Sequence, residues 1–201
     1  MPRAALIDYG VGNIFSMKKA LQRAGFAVDV TSERKAISSA DAIVLPGVGA
    51  FGVAAKNMAA LKPSILEGLE RGTPLLGSCL GTQLLFDHSE EGPGEGLGVI
   101  RGGVIRFRGE LKTPHMGWNT LMTVRPDELL EGIEEDDYFY FVHSYYVSPD
   151  DPRVVVAETR YGVDFPSVVS RNAVYGTQFH PEKSGKAGAA LLENFARMVG
   201  R

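Results

Sequence analysis

Apolar and polar residues alternate along the first half of the chain in the order expected for strands followed by helices. Short apolar runs predict strands over residues 4–8, 27–30, 41–45 and 73–77. Apolar residues at helical spacing predict helices over residues 13–24, 50–60 and 63–70. Asn13 is a candidate N-cap for the first helix, and Gly25 is its candidate stop. This alternation predicts a parallel sheet with helices on both faces.

The second half has a different pattern, in which β-type runs follow one another without intervening helices. They cover residues 99–107, 138–147, 153–159, 167–170 and 173–179. A loop rich in Gly and Glu is predicted over residues 90–98, and a closing helix over 187–199. The sequence therefore predicts one α/β domain over residues 1–201, with a parallel core and an antiparallel extension.

Composition and charge exclude several classes of function. The formal net charge is −3, which provides no basic surface for nucleic acid or an anionic membrane. No stretch approaches the ~18 apolar residues of a membrane span. The first eight residues turn polar too early for the apolar core of a signal peptide. We therefore expect a cytoplasmic protein with no nucleic-acid or membrane partner.

Cys79 is the only cysteine, so it forms no internal disulfide, which fits a reducing compartment. It lies between Gly77 and Gly81, after a predicted strand and before residues 82–86, which are predicted to begin a helix. Glycines around a residue at such a junction are typical of a nucleophile elbow, whose tight turn lifts the central side chain out of the sheet. The helix N-terminus would favour the thiolate. The alternative is a buried cysteine acting as a small hydrophobic residue.

A cysteine nucleophile needs a base and a group that orients the base. His180 is the best candidate base, because it is predicted to end a strand and is followed by Pro181 and Glu182. In an extended segment, residues two apart project to the same side, so Glu182 would lie beside His180. Two alternatives remain, a structural histidine at a strand end and a metal site, although no further ligands occur at metal-binding spacing.

Glycines follow the third predicted strand in the order Gly47-Val48-Gly49-Ala50-Phe51-Gly52. They match the dinucleotide fingerprint G-x-G-x-x-G, but Pro46 interrupts the turn and the strand is not the first. The glycines also free backbone N–H groups to face an oxyanion near Cys79. We favour this second interpretation.

These motifs together resemble the class I, or triad, glutamine amidotransferases, which have a flavodoxin-like fold. The resemblance rests on Cys79 between its glycines and on His180-Pro181-Glu182. Two further segments, residues 114–119 (PHMGWN) and 141–146 (FVHSYY), narrow it to glutaminase subunits of imidazole glycerol phosphate synthase. It covers nearly the whole chain.

The resemblance implies a role for each matching position. Cys79 would attack the side-chain amide of L-glutamine, with His180 as acid and base and Glu182 as its orienting group. The other implied roles are an oxyanion site, a site for the α-amino and α-carboxylate ends of glutamine, and a face for the partner subunit. The implied oxyanion site comprises Gly47, Val48, Gly49 and Leu80. The implied glutamine site comprises Gln83, Glu91, Ser144 and Tyr145. The implied partner face comprises Trp118, Tyr138 and Lys183.

The implied function is hydrolysis of glutamine to glutamate and ammonia, with no cofactor and no metal. The ammonia would pass to the partner, a (β/α)₈-barrel cyclase subunit of histidine biosynthesis, in a heterodimer. One alternative is the glutaminase subunit of anthranilate, vitamin B6 or carbamoyl phosphate synthesis. Another is a non-catalytic binding subunit. On the partner face, Trp118 and Tyr138 could instead be core aromatics, and Lys183 a solvated charge.

Overall fold

The computed structural model describes residues 1–200 and contains short strands, six α-helices and three 3₁₀ turns. The strands are β1 (Arg3–Ile7), β2 (Ala27–Thr31), β3 (Ala42–Leu45), β4 (Leu75–Ser78), β5 (His88–Ser89), β6 (Gly102–Arg106), β7 (His115–Asn119), β8 (Met122–Thr123), β9 (Phe139–His143), β10 (Tyr145–Pro149), β11 (Val155–Tyr161), β12 (Val163–Arg171) and β13 (Val174–Thr177). The helices are α1 (Ile14–Arg23), α2 (Arg34–Ser38), α3 (Phe51–Met58), α4 (Lys62–Glu70), α5 (Leu80–Gln83) and α6 (Gly185–Val199). The 3₁₀ turns are Glu128–Leu130, Pro152–Val154 and Pro181–Lys183.

A central eight-stranded sheet organises the molecule, in the order β2-β1-β3-β4-β13-β12-β11-β8. Pairing is parallel from β2 to β13 and antiparallel from β13 to β8. Two small sheets, β10-β6-β5 and β7-β9, complete the structure. The predicted parallel core with an antiparallel extension is therefore confirmed.

Apolar side chains cover both faces of this sheet. Along β1, Ala5 and Ile7 belong to one buried cluster, which includes residues of α2, α3 and α4. Ala4 and Leu6 belong to the other, which includes residues of α1 and α6. Successive residues of a strand point to opposite faces, so a strand buried on both sides reads as an uninterrupted apolar run.

Helix α1 forms where its pattern predicts it. The side chain of Asn13 accepts a hydrogen bond from the backbone amide of Ser16 at 3.3 Å. Met17 and Leu21 are fully buried one turn apart on the inner face. Gly25 follows the last turn with φ of +101°, a conformation that favours glycine. The predicted cap, face and stop are all present.

The helix predicted after Cys79 is shorter than expected. Helix α5 is a single turn, Leu80–Gln83. Beyond it, the carbonyl of Leu84 accepts from the amide of Leu97, and the carbonyl of Leu85 accepts from the amides of Val99 and Ile100. The loop over residues 96–100 therefore takes the carbonyl groups that a longer helix would use. The helix still begins directly after Cys79, so the effect of its N-terminus on the thiolate stays a prediction.

The β-run predicted over residues 138–147 was wrong as one element. It breaks at Ser144 into β9 and β10, which lie in different small sheets. Strand β9 pairs with β7, which the sequence pattern missed because Gly117 lowers its β propensity. The break at Ser144 brings the end of β9 and the start of β10 to Cys79.

Within residues 1–200, no helix has both the length and the apolar character needed to cross a bilayer.

Candidate active site

Cys79 lies in a strained turn between β4 and α5. Its φ of +52° and ψ of −107° are unusual for a residue with a side chain. The turn requires glycine on both sides, because a Cβ on Gly77 would lie 2.6 Å from the Gly81 carbonyl oxygen. A Cβ on Gly81 would lie 2.0 Å from the carbonyl oxygen of Leu45. This is the geometry that the glycine spacing predicts for a nucleophile elbow.

The elbow leaves the cysteine side chain in a cleft with only 5% of its surface exposed. Its backbone amide donates to the Thr177 carbonyl at 2.7 Å, which ties the turn to the end of β13. The sulfur lies 3.9 Å from the carbonyl oxygen of Val142 and 3.7 Å from Nε2 of Gln178. One acceptor and one donor from residues 1–200 therefore lie beside the sulfur, in addition to His180.

His180 and Glu182 form a buried pair next to this cysteine. Nδ1 of His180 lies 2.8 Å from Oε1 of Glu182, and the two side chains are 1% and 3% exposed. The route to this contact differs from the prediction. Strand β13 ends at Thr177, and Glu182 lies in the 3₁₀ turn Pro181–Lys183 rather than in an extended segment. The turn, not the strand alternation, brings the carboxylate to the imidazole.

The electrostatics of the site favour a charged imidazole. Burial alone lowers the pKa of His180, but the neighbouring Cys79 sulfur and the Glu182 carboxylate outweigh burial and raise it to about 9. Because Nδ1 is bound to Glu182, Nε2 is the nitrogen left to exchange a proton with the sulfur or a ligand. Nε2 is buried and has no hydrogen-bond partner among residues 1–200.

A serine holds the segment that carries the histidine. Oγ of Ser184 donates to the carbonyl of His180 at 2.6 Å and accepts from the amide of Tyr140 at 3.0 Å. The amide of His180 in turn donates to the carbonyl of Tyr140 at 2.9 Å. Ser184 is 2% exposed, so these bonds are shielded from water. They fix His180 to β9.

The glycine loop after β3 packs directly against the elbow. A Cβ on Gly47 would lie 2.5 Å from Cβ of Leu80, so only glycine allows this approach. The hydroxyl of Tyr9, which is buried, donates to the carbonyl of Pro46 and anchors the start of the loop. The Leu80 amide is at the first position of α5, where a helix N–H has no acceptor within the helix.

A cleft of about 220 Å³ brings most of the predicted site residues together. Its lining comprises Val48, Gly49, Cys79, Leu80, Gln83, Glu91, Val142, His143, Ser144 and Tyr145. Gly47 does not line the cleft but supports the loop that does. Val142 and His143 lie in the segment 141–146 that carries the resemblance, but only the two residues after them were predicted to bind substrate.

Some polar groups of the cleft already form hydrogen bonds within the protein. Nε2 of Gln83 donates to the carbonyl of Tyr145 at 3.0 Å. Oε2 of Glu91 accepts from the amide of Phe51 at 2.7 Å, at the start of α3. Each side chain therefore has one oxygen, Oε1, left to accept from a ligand. The described part of the chain holds no cluster of three or more His, Cys, Asp or Glu suited to a metal ion.

Comparison with known proteins gives the family. A family model described as glutamine amidotransferase class-I matches residues 5–199. The chain belongs to the class-I glutamine amidotransferases. The amidotransferase is 51% identical over 199 residues to "Imidazole glycerol phosphate synthase subunit HisH" of Geobacillus kaustophilus, an alignment that covers 94% of each chain. It is 47% identical to the protein of the same description from Methanocaldococcus jannaschii, over 96% of this chain and 98% of that one.

Solved structures agree on the fold of this amidotransferase. A structure titled "Crystal structure of glutamine amidotransferase" aligns with a TM-score of 0.78 at 21% identity, covering 98% of this chain and 99% of that one. "Structure of PurLQS from Thermotoga maritima" aligns with the same TM-score at 20% identity, over 98% of each chain. The fold class and the family resemblance predicted from the motifs are both confirmed.

The three residues predicted for a partner face lie on the amidotransferase's surface around Tyr140. Trp118 and Tyr138 are 56% and 58% exposed, so the alternative that they are core aromatics was wrong. The rings of Trp118 and Tyr140 are 5.8 Å apart. Nζ of Lys183 lies 5.8 Å from the centroid of the same Tyr140 ring. Tyr140 also binds the backbone of His180, so this surface adjoins the buried pair.

Gln178 and Ser184 are the functional candidates that sequence reasoning passed over. Both lie within six residues of His180 in the same segment, Tyr175 to Ser184. Gln178 is fully buried and Ser184 nearly so. A polar residue in an otherwise apolar run beside a candidate base is a usable signal, because buried polar groups need partners.

Proposed function

We propose that this amidotransferase is the glutaminase subunit of imidazole glycerol phosphate synthase. The observation that carries the proposal is the cleft in which Cys79, in a strained elbow, adjoins the buried pair of His180 and Glu182. Relatives of that description, 51% and 47% identical over nearly the full length, support the choice among amidotransferases. In the proposal, residues 1–201 act as one glutaminase domain.

The reaction proceeds in two halves through a thioester. The Cys79 thiolate attacks the side-chain carboxamide carbon of glutamine, and the protonated His180 gives its proton to the leaving nitrogen, which departs as ammonia. Neutral His180 then takes a proton from water, whose oxygen attacks the thioester and releases glutamate and the thiolate. Glu182 holds the imidazole in one orientation throughout and stabilises its charged form.

Each tetrahedral intermediate carries a negative oxygen that needs donors. The Leu80 amide is one donor, because it faces away from the helix interior beside the nucleophile. The loop of Gly47, Val48 and Gly49 supplies the other from a backbone N–H. Gly49 has φ of +131°, so the peptide before it has access to orientations closed to other residues.

The substrate's charged end lies at the opposite side of the cleft. Oε1 of Gln83 and Oε1 of Glu91 accept from the α-ammonium group, since their other polar atoms are bound within the protein. Ser144 and Tyr145 hold the α-carboxylate at the break between β9 and β10. No cofactor takes part.

The ammonia passes to a cyclase subunit, a (β/α)₈ barrel, that binds at Trp118, Tyr138 and Lys183. The exposure of the Trp118 and Tyr138 rings supports this placement, because aromatic residues are enriched at interfaces. Trp118 also contacts Tyr140, whose backbone binds that of His180. The two subunits work in the cytoplasm, where a reducing environment keeps the thiol of Cys79 free.

Reconstitution with the cyclase subunit tests this function. The purified pair should make imidazole glycerol phosphate and an aminoimidazole carboxamide ribonucleotide with L-glutamine as nitrogen donor, and should elute as a heterodimer. Trp118→Ala should weaken the pair at least tenfold while leaving iodoacetamide labelling of Cys79 unchanged. Stable assembly with an anthranilate or carbamoyl phosphate synthase subunit instead would contradict the proposal.

A further inference from the structure

Within residues 1–200, Gln178 is the one neutral side chain that offers a donor to the Cys79 sulfur. It follows β13 and is 0% exposed, and Nε2 lies 3.7 Å from Sγ. Its backbone amide donates to the carbonyl of Ser167 at 2.8 Å, so its main chain is fixed to β12. No role for this glutamine follows from the reaction described above.

The orientation of the Gln178 amide is set by its neighbours. The carbonyl of Tyr145 accepts only, so the Gln83 atom 3.0 Å from it is Nε2. That same Nε2 lies 3.4 Å from the Gln178 side chain, which must present its oxygen there. The NH₂ group of Gln178 then points at the sulfur.

Two buried histidines extend this chain of hydrogen bonds. Nδ1 of His143 lies 2.8 Å from the carbonyl of Tyr145 and so carries a hydrogen. Nε2 of His143 therefore accepts from Nδ1 of His115, at 3.1 Å. Nε2 of His115 accepts from Nδ2 of Asn119 at 3.3 Å, and the same Nδ2 donates to the carbonyl of Arg160 at 3.0 Å. Every donor in the chain thus has a defined direction.

Both histidines stay neutral in this setting. Burial lowers the pKa of His115 to about 4 and that of His143 to about 3. Above pH ~5 neither ring gains the second proton that would reverse a hydrogen bond. His115 and His143 belong to segments 114–119 and 141–146, and the reaction described above gives neither of them a role.

We propose that Gln178 is a catalytic residue that stabilises the Cys79 thiolate by hydrogen bonding. His143, held by His115, is a positioning residue: it binds the Tyr145 carbonyl that also accepts from Gln83, and so holds that carbonyl in place. The inference rests on the proposed function, because it concerns the nucleophile of that reaction. It also explains how a nearly dry sulfur holds a negative charge, since hydrogen bonding to the charged form offsets burial.

Alkylation of Cys79 in the full chain tests the donor without turnover. The rate of reaction with iodoacetamide as a function of pH reports the thiolate directly. In Gln178→Met the alkylation profile should move to higher pH, and the rate at pH 7 should fall about tenfold. With the cyclase subunit present, kcat for glutamine should fall about 10- to 100-fold with little change in KM.

Three controls keep the result interpretable. Asn194→Leu removes a similarly buried amide on α6, bonded to the carbonyls of Leu129 and Glu131, and should leave the alkylation profile unchanged. Gln178→Glu keeps the size of the side chain but places a negative charge beside the sulfur, so it should slow alkylation more than Gln178→Met. Circular dichroism of each variant checks the fold. If Gln178→Met does not fold, Gln178→Glu still tests the contact, because wild-type alkylation in that variant would show that the sulfur does not sense this side chain.

The ionisable groups around the sulfur are unchanged in Gln178→Met. A shifted profile in Gln178→Met is therefore due to the lost donor rather than to another titration. The unchanged groups are His180 with Glu182 behind it, Tyr9, His143 and Glu91.

The histidine pair is tested by two substitutions at one position. Asn at 143 can still donate to the Tyr145 carbonyl, whereas Leu cannot. His143→Leu should move the alkylation profile in the same direction as Gln178→Met, and His143→Asn should restore it. Identical profiles for His143→Leu and the unaltered protein would overturn the positioning role. Wild-type alkylation in folded Gln178 variants would overturn the donor, whereas a normal thiolate without glutamine turnover would instead contradict the proposed function.

Discussion

The two sides of the cleft are positioned by different forces. On the nucleophile side, backbone atoms pack against glycines at 2.0 to 2.6 Å from where a Cβ would be, so sterics set the turn of Cys79. On the base side, side chains hold one another by hydrogen bonds, as Glu182 and Ser184 hold His180. A steric clash at a glycine either disrupts the turn or does not occur. A set of hydrogen bonds, in contrast, can be weakened one bond at a time.

This difference predicts how each side responds to substitution. A change on the nucleophile side should remove activity or disturb the fold. A change on the base side should lower turnover in steps that match the charge or hydrogen bond removed.

The largest expected effect is at the nucleophile itself. Cys79→Ser should lower glutamine-dependent turnover by about 10⁴-fold or more, because a serine hydroxyl is a poor nucleophile beside a histidine that is already protonated. The complex should still use free ammonia, since the partner's site is intact. Product formation with each nitrogen source separates the two. Residual turnover with glutamine near the wild-type rate would mean that another group attacks.

The second prediction concerns the glycine after the nucleophile. Gly81→Ala should lower the free energy of unfolding by about 3 kcal/mol or more, because the new Cβ would lie 2.0 Å from the Leu45 carbonyl. Helix propensity alone predicts the opposite sign, a gain of about 1 kcal/mol in α5. Urea unfolding measures which effect wins.

A matched glycine provides the control for that measurement. At Gly92 the nearest backbone atom to an added Cβ is 4.0 Å away, and φ is not in the left-handed region. Gly92→Ala should change the free energy of unfolding by no more than about 0.5 kcal/mol. Equal effects at Gly81 and Gly92 would show that sterics do not set the elbow.

The same contrast explains what the sequence could predict. The elbow could be predicted from the glycine spacing around Cys79, because its steric requirement demands glycine at fixed positions in the sequence. The sequence pattern around the base side is less specific. Glu182 lies beside His180 because of a 3₁₀ turn, and not because of the strand alternation from which the contact was predicted.

Hydrogen bonds between residues far apart in the sequence could not be predicted from the local pattern of apolar and polar residues. The break at Ser144 depends on β9 and β10 finding different partner strands, β7 and β6, and neither pairing is encoded locally. Gln178 and Gln83 are 95 residues apart and meet only in the folded sheet. The length of α5 was overestimated for a similar reason, since a distant loop takes its carbonyl groups.

Charge on the base side provides the third prediction. Glu182→Gln should lower kcat by about 10²-fold or more, because His180 loses the carboxylate that orients it and stabilises its protonated form. The amide keeps the size of the side chain and one acceptor oxygen. An unchanged kcat would assign Glu182 no part in the reaction.

The pH dependence of stability gives an independent reading of the same interaction. The pKa of His180 is raised from 6.5 to about 9, so the folded state binds a proton that the unfolded state has lost in this range. This contribution is complete below pH 6.5 and is lost as pH rises through about 9. In Glu182→Gln the loss should begin at lower pH. Urea midpoints measured at intervals from pH 6 to pH 9.5 would show it, and superimposable curves for the two proteins would rule it out.

The smallest expected effect is at Ser184, which touches neither substrate nor nucleophile. Ser184→Ala leaves the amide of Tyr140 without its acceptor and removes one of the two donors to the carbonyl of His180, at a cost of about 1–3 kcal/mol in unfolding free energy. Turnover should fall only about three- to tenfold, because Glu182 still holds the imidazole. Ser39→Ala, which removes an exposed hydroxyl bonded at 3.3 Å to the Ala36 carbonyl, is the matched control and should be neutral. A loss as large as that of Glu182→Gln would mean that the base side, too, depends on a single fixed geometry.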